Sequence, residues 1–203
     1  VNIVHVNNVH KSWQDCQLAG WDARPEGVRV SRRDEVLEAA VELLDEVGLD
    51  AFTTRKLAAK LGVQAGALYR HYPSKQALLD AVVGYIVGEA GGGPLPVDGD
   101  WAQVYRTVAV AMRVGMLAHR DGARLMTSFQ VPSEAGEAAF GQLTELLIRA
   151  GASAELAFGA VDTIFAYVNG FTIEEQARGG DREQGFRTGL ELIIAGIRAS
   201  LTE

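Results

Sequence analysis

Residues 51–79 carry five cations, Arg55, Lys56, Lys60, Arg70 and Lys75, and no carboxylate. The whole chain has a formal net charge of −7, so this acid-free block stands against an acidic background. A cationic stretch interleaved with Tyr69, His71 and Tyr72 is the local footprint that a polyanion such as nucleic acid requires, although a solvated helical face is the ordinary reading of a charge run. Other chemistries find little to use. The four histidines, His5, His10, His71 and His119, are scattered, and no G-x-G-x-x-G, Walker loop, G-x-S-x-G or H-E-x-x-H is present. Cys16 is alone, so neither an intramolecular disulfide nor a structural zinc site is expected. The neighbouring carboxylates Glu174 and Glu175 fall near a helix end and are expected to be solvated. No catalytic residue, metal site or cofactor is expected.

The elements that must position the cationic block follow from periodicity. With 203 residues, 48% apolar and 22% charged, the chain has the composition of a folded globular protein. No unbroken apolar run approaches the ~20 residues that cross a bilayer, and the first residues lack the pattern of a signal peptide. A cytoplasmic protein with no membrane partner is expected. Residues 1–30 show no sustained period and read as a flexible extension. Ser31 and Asp34 then have the spacing of a capping box. Val36, Leu37, Ala40, Val41, Leu44 and Val47 recur at helical spacing up to Gly48. Thr53 or Thr54 caps a second helix through Leu57, Ala58 and Leu61. A short third helix over 65–72 ends at Pro73, which has no N–H to continue the ladder, and Ser74 caps a fourth.

Residues 89–99, EAGGGPLPVDG, form a loop, and the remainder reads as helices over 100–119, 122–129, 133–150, 153–178 and 181–202. Asp100, Ser133, Ser153 and Asp181 stand at their starts. No alternating strand pattern occurs. The expectation is an all-α fold, with a helix-turn-helix domain over 31–87 and a larger helical domain over 88–203.

Residues 53–82, TTRKLAAKLGVQAGALYRHYPSKQALLDAV, closely resemble the DNA-binding domain of the tetracycline-repressor (TetR) family. The motifs are T-x-x-x-L-A-x-x-L-G-V, L-Y-x-H-Y and K-x-x-L-L; weaker resemblance to the tetracycline-repressor subgroup continues through Trp101 and AHRDGARL at 118–125. The resemblance implies that Gln64, Ala65, Gly66, Ala67, Tyr69, Arg70, His71 and Lys75 face an operator duplex, with Arg55 reading bases. An arginine fork on guanine is worth about 1–3 kcal/mol of discrimination. Tyr69, His71 and Lys75, with the backbone at Thr53 and Thr54, suit phosphates. The ordinary alternative for Tyr69 and Tyr72 is packing between helices.

It also implies a homodimer built on helices 153–178 and 181–202, two reading helices one DNA turn apart, and a small-molecule effector site walled by Val108, Met112, Met126, Phe129 and Gln142. Met126 stands where the tetracycline repressors carry a magnesium-binding histidine. A thioether is a poor ligand for a hard cation, so a largely apolar effector is expected. The competing expectations are a helix-turn-helix protein with no inducer and a helical small-molecule carrier.

Overall fold

The computed structural model describes residues 32–89 and 100–201; the side chains of residues 88 and 89 are outside it. The expected extension, the Ser31 cap and the loop after residue 89 therefore lie outside the described residues. Within them every regular element is helical: α1 (Arg32–Val47), α2 (Thr54–Lys60), α3 (Ala65–Leu68), α4 (Lys75–Glu89), α5 (Trp101–Ala118), α6 (Gly122–Met126), α7 (Glu134–Arg149), α8 (Ala154–Arg178) and α9 (Glu183–Ser200).

The helix starts follow local chemistry. Thr53 Oγ1 accepts from Lys56 N at 3.2 Å, Ser74 Oγ from Ala77 N at 3.0 Å, and Asp100 Oδ1 from Ala102 N at 3.1 Å. Ser133 and Ser153 do the same for α7 and α8, while Asp181 caps α9 from one residue outside its N-cap. Each oxygen occupies an N–H that the helix itself leaves unpaired.

Two helices are shorter than their periodicity predicts. The third is helical only to Leu68; His71 N and Tyr72 N then both donate to Leu68 O, at 3.0 and 2.9 Å, and the chain turns. Pro73 disfavours a helical conformation at the residue before it, and the buried Tyr72 ring holds the turn against α1. Likewise α6 stops at Met126, with Thr127 and Ser128 hydroxyls turned back on the carbonyls of Ala123, Arg124 and Leu125.

The first four helices share a core of Val36, Leu37, Ala40, Val41, Leu43, Leu44, Phe52, Leu57, Ala58, Leu68 and Tyr72, which continues along α4. Leu43 extends the apolar stripe of α1 beyond its periodic positions, while Leu61 and Val63 are half-buried. In the second half α8 is the central helix, packed on α5, α6, α7 and α9. By length and mean hydropathy (1.4 over its most apolar 18 residues) α8 is long and apolar enough to cross a membrane, a property hidden from run-counting because Asp162, Asn169, Glu174 and Glu175 interrupt it. Its inner face is instead a protein core: Ala157, Val161, Ile164, Val168 and Thr172 are each 2% exposed or less.

The two helical groups are joined around the turn between α5 and α6. Gly48 closes α1 with φ +78°, donating its N–H to Leu44 O, and a Cβ there would lie 2.9 Å from Asp121 Oδ2. Gly122 has a different constraint: a Cβ would collide with the carbonyl oxygen of Met116. Both positions need the small residue because chains approach closely.

Candidate nucleic-acid interface and effector core

Leu57, Ala58 and Leu68, all buried, hold α2 against α3, and Val63 N donates to Ala58 O at 2.9 Å to close the turn between them. That leaves Thr53, Arg55, Gln64, Gly66, Tyr69, Arg70, His71 and Lys75 exposed, and Thr54, Ala65 and Ala67 half-buried. Tyr69 is 49% exposed and its hydroxyl lies 3.5 Å from Thr54 Oγ1, whereas Tyr72 is 3% exposed. Tyr69 is thus presented outward, and Tyr72 packs. Arg33 Nε donates to the Tyr72 hydroxyl at 3.3 Å with its guanidinium over the ring, and burial pushes this phenol's pKa above its usual value.

The five cations are not equivalent. Arg55 and Arg70 make no ion pair among the described residues. Lys60 is neutralised: its Nζ lies 2.7 Å from Glu46 and 3.1 Å from Glu42, and both carboxylates hold its pKa above the ordinary value. The sequence block contains no acid, but α1 folds its own acids back onto it. Lys56 Nζ donates to Ala51 O, and Lys75 Nζ donates to Phe52 O at 2.8 Å while lying over the Phe52 ring. An ammonium has three donors, so the bond to Phe52 O uses one of the three that Lys75 carries.

Among the effector candidates, Met126 is 7% exposed, Val108 and Met112 are half-buried one turn apart on α5, and all three join the core cluster. Phe129 is 39% exposed and Gln142 is exposed on α7, so the structure does not bring these two into the interior with the others. Tyr105 is fully buried, its hydroxyl donating to Leu143 O at 2.9 Å, and burial pushes its pKa far up.

Glu175 corrects an expectation. It is 5% exposed, not solvated, and takes Arg113 as a two-pronged partner: Nε to Oε2 at 2.8 Å and a terminal nitrogen to Oε1 at 2.6 Å. The guanidinium also lies over Phe186 of α9, 5.2 Å from the ring centroid. The partner 62 residues away is what the local sequence could not show. Glu174, one position earlier, is at the surface and is held below the usual carboxylate range by Arg182 and Arg178.

Sequence reading also missed the residues that connect the two halves. Asp45 accepts from His119 Nδ1 at 3.0 Å and from Arg120 N at 2.9 Å; Arg120 donates to Glu46 O. Asp121 Oδ2 accepts from Leu49 N, and Arg124 pairs with both oxygens of Asp50 at 3.2 and 2.9 Å. On the other side, Gln76 of α4 donates to Ser128 O at 2.9 Å, and Asp80 accepts from Gln130 N at 3.1 Å. Residues 119–130 therefore bond to both the end of α1 and the start of α4. The only signal available beforehand was the unusual density of charge in the turn that follows α5.

No group of three or more possible metal ligands occurs among the described residues. What the described residues present is a helix-turn-helix regulator: an exposed, partly cationic short helix on a small helical body, coupled to a larger helical body. The comparisons agree. The family model for bacterial regulatory proteins of the tetR family matches residues 36–82, and that for the tetracyclin repressor-like C-terminal domain matches residues 93–185. The chain belongs to the TetR family of transcriptional regulators, with a second half of the tetracycline-repressor type.

It is 43% identical over 155 residues to the class A tetracycline repressor protein from transposon 1721 of Escherichia coli, covering 76% of this chain and 70% of that protein. It is 30% identical over 198 residues to the Escherichia coli class D repressor, covering 84% and 90%. Among solved structures, a TetR variant from Acinetobacter baumannii AYE in complex with minocycline matches with TM-score 0.77 at 33% identity, covering 86% of this chain and all of that one. BioQ with its natural double-stranded DNA operator matches with TM-score 0.73 at 34% identity, covering 83% and 99%. The first two of these relatives are tetracycline repressor proteins by name.

Proposed function

We propose that this chain is a homodimeric repressor that a small, largely apolar molecule releases from a palindromic operator. Residues 31–87 form the DNA-binding domain and residues 88–203 the effector and dimerisation domain. The observation that carries the reading is the double attachment of residues 119–130. This segment follows α5, includes Met126, and bonds to α1 through Asp45, to the turn after α1 through Leu49 and Asp50, and to α4 through Gln76 and Asp80. An effector seated against Val108, Met112 and Met126 would act on that segment, and through it on the orientation of α2 and α3. It shifts the equilibrium only by its difference in affinity for the two states, each ~1.4 kcal/mol moving operator affinity tenfold.

Dimerisation is supported by the outer faces of α8 and α9. Gly159, Thr163, Ala166 and Gly170 form an exposed small-residue stripe on α8, and Phe158 and Leu192 are 58% and 70% exposed. Apolar surface beside small residues lets helices of two copies approach closely, and a symmetric pair would set two reading helices about 34–36 Å apart. On the DNA face, Arg55 reads a base edge, Arg70, Tyr69, His71, Lys75, Thr53 and Thr54 hold phosphates and sugar, and Gln64, Ala65, Gly66 and Ala67 fit the groove floor. A fluorescence anisotropy titration against duplexes flanking the chain's own gene, repeated over a salt series, tests the reading. Saturation at two subunits per palindrome supports it, and indifference to every duplex refutes it.

A further inference from the structure

Asn169 of α8 places its side-chain oxygen, Oδ1, out of contact with solvent and without any hydrogen-bond partner. A buried, unsatisfied amide oxygen works against folding, and a leucine of similar size would not carry that cost. The direction of the side chain follows from its neighbours on the helix. Phe165, one turn before it, meets Phe140 of α7 edge-on at 5.9 Å. Gln176, two turns after it, accepts from Ala123 N of α6 at 3.0 Å. The opposite flank of α8 carries Tyr167 and Phe171, which pack on Phe186 of α9. At 3.6 residues per turn, Asn169 shares the flank of Phe165 and Gln176, facing α6 and α7. Phe165 is thus the aromatic side chain one turn from Asn169 on this flank, and its partner Phe140 also meets the more distant Phe158, at 5.2 Å.

We infer that Asn169 is the polar anchor of the effector site, and that the effector is an aromatic molecule whose hydroxyl donates to Asn169 Oδ1 while its ring packs by Phe140 and Phe165. This assignment rests on the reading of the second half as an effector domain. It gives the amide a function that compensates its folding cost, and it refines an apolar effector into one bearing a single directed donor. Amide oxygens accept strongly from phenolic hydroxyls, and one such bond in a desolvated site separates a hydroxyl compound from its methyl analogue by about tenfold.

The test uses the full chain with 2-naphthol and 2-methylnaphthalene, which match in shape and differ in one hydroxyl. Binding is measured by calorimetry, and release of a bound operator duplex by anisotropy. The wild type is expected to bind 2-naphthol about tenfold more tightly. Asn169→Leu is expected to bind both compounds equally, and Asn169→Ala, which cannot overpack, must lose the same preference. Equal binding of both compounds by the wild type, absence of 2-naphthol binding, or a preference that survives in either variant overturns the assignment. Operator release by both compounds alike, with no effect of the variants, overturns it and leaves the effector reading standing. A hydroxyl preference that depends on Asn169 without operator release supports the anchor and contradicts release by this route.

Discussion

Asp121 accepts the backbone N–H of Leu49 at 2.9 Å across the junction between the two helical groups, from a backbone with φ +57°. A left-handed conformation is uncommon outside glycine, and aspartate is among the residues that tolerate it best. The side chain thus caps the end of one helical group while its own main chain makes the turn from α5 into α6. Gly48 leaves room for the approach, and Gly122 lets the turn itself close against Met116.

Replacing Asp121 separates these two contributions. Asp121→Ala loses the charge-assisted bond and keeps the strain of the left-handed turn, for a destabilisation of about 2–3 kcal/mol; Asp121→Gly relieves the strain and should cost about 1 kcal/mol less. Urea unfolding of both variants checks the order. Equal losses would mean that the turn is unstrained.

The cations of the DNA face are expected to divide as their partners do. Arg55→Ala should cost about 1–3 kcal/mol in operator affinity and relax base preference at one position. Lys60→Ala should leave operator affinity and its salt slope nearly unchanged, because Glu42 and Glu46 already neutralise that ammonium. Anisotropy titrations across salt concentrations distinguish them; a larger effect at Lys60 than at Arg55 would reverse the assignment.

Arg113 and Glu175 are buried as a pair. Arg113→Met strands the carboxylate and should destabilise by about 3–5 kcal/mol, while the double variant Arg113→Met/Glu175→Leu should recover most of that loss. A double variant as unstable as the single one would show that the charges themselves, not their mutual compensation, hold α5 to α8.

The legible part of this protein was the part determined over short distances. Thr53, Ser74, Asp100, Ser133 and Ser153 announce their helices because a cap acts within three residues of itself. The apolar stripes of α1, α8 and α9 and the T-x-x-x-L-A-x-x-L-G-V motif are likewise local. Partners separated by tens of residues were not legible: Glu42 and Glu46 on Lys60, Arg113 on Glu175, and Asp45 on His119. Burial by a distant helix also explains why Glu175 differs so completely from Glu174. The shortness of α3 depends on Pro73 and on the Tyr72 ring together, and periodicity registers neither.

The junction should respond to acid with a defined sign. Arg124, through its hydrogen bonds and charge, holds the Asp50 carboxyl below its ordinary value. A depressed folded-state pKa contributes stability above the unfolded value near 3.9, and that contribution fades as pH falls through the lower folded value. Asp50→Asn should therefore melt slightly below the wild type at pH 7, by a small margin because both side chains are exposed. The gap should close as pH falls through that lower folded-state value. Melting curves at several pH values check it, and a gap that widens in acid would contradict the pairing.

The central claim is that a symmetric pair of these chains reads DNA through the surface around Arg55 and Tyr69. Analytical ultracentrifugation of the purified chain, alone and with a labelled duplex from beside its own gene, measures it most directly. A dimer at micromolar concentration that adds to one palindromic duplex as a pair, with affinity falling linearly in log salt, is the predicted result. A chain that stays a single subunit and leaves every such duplex unbound would contradict it.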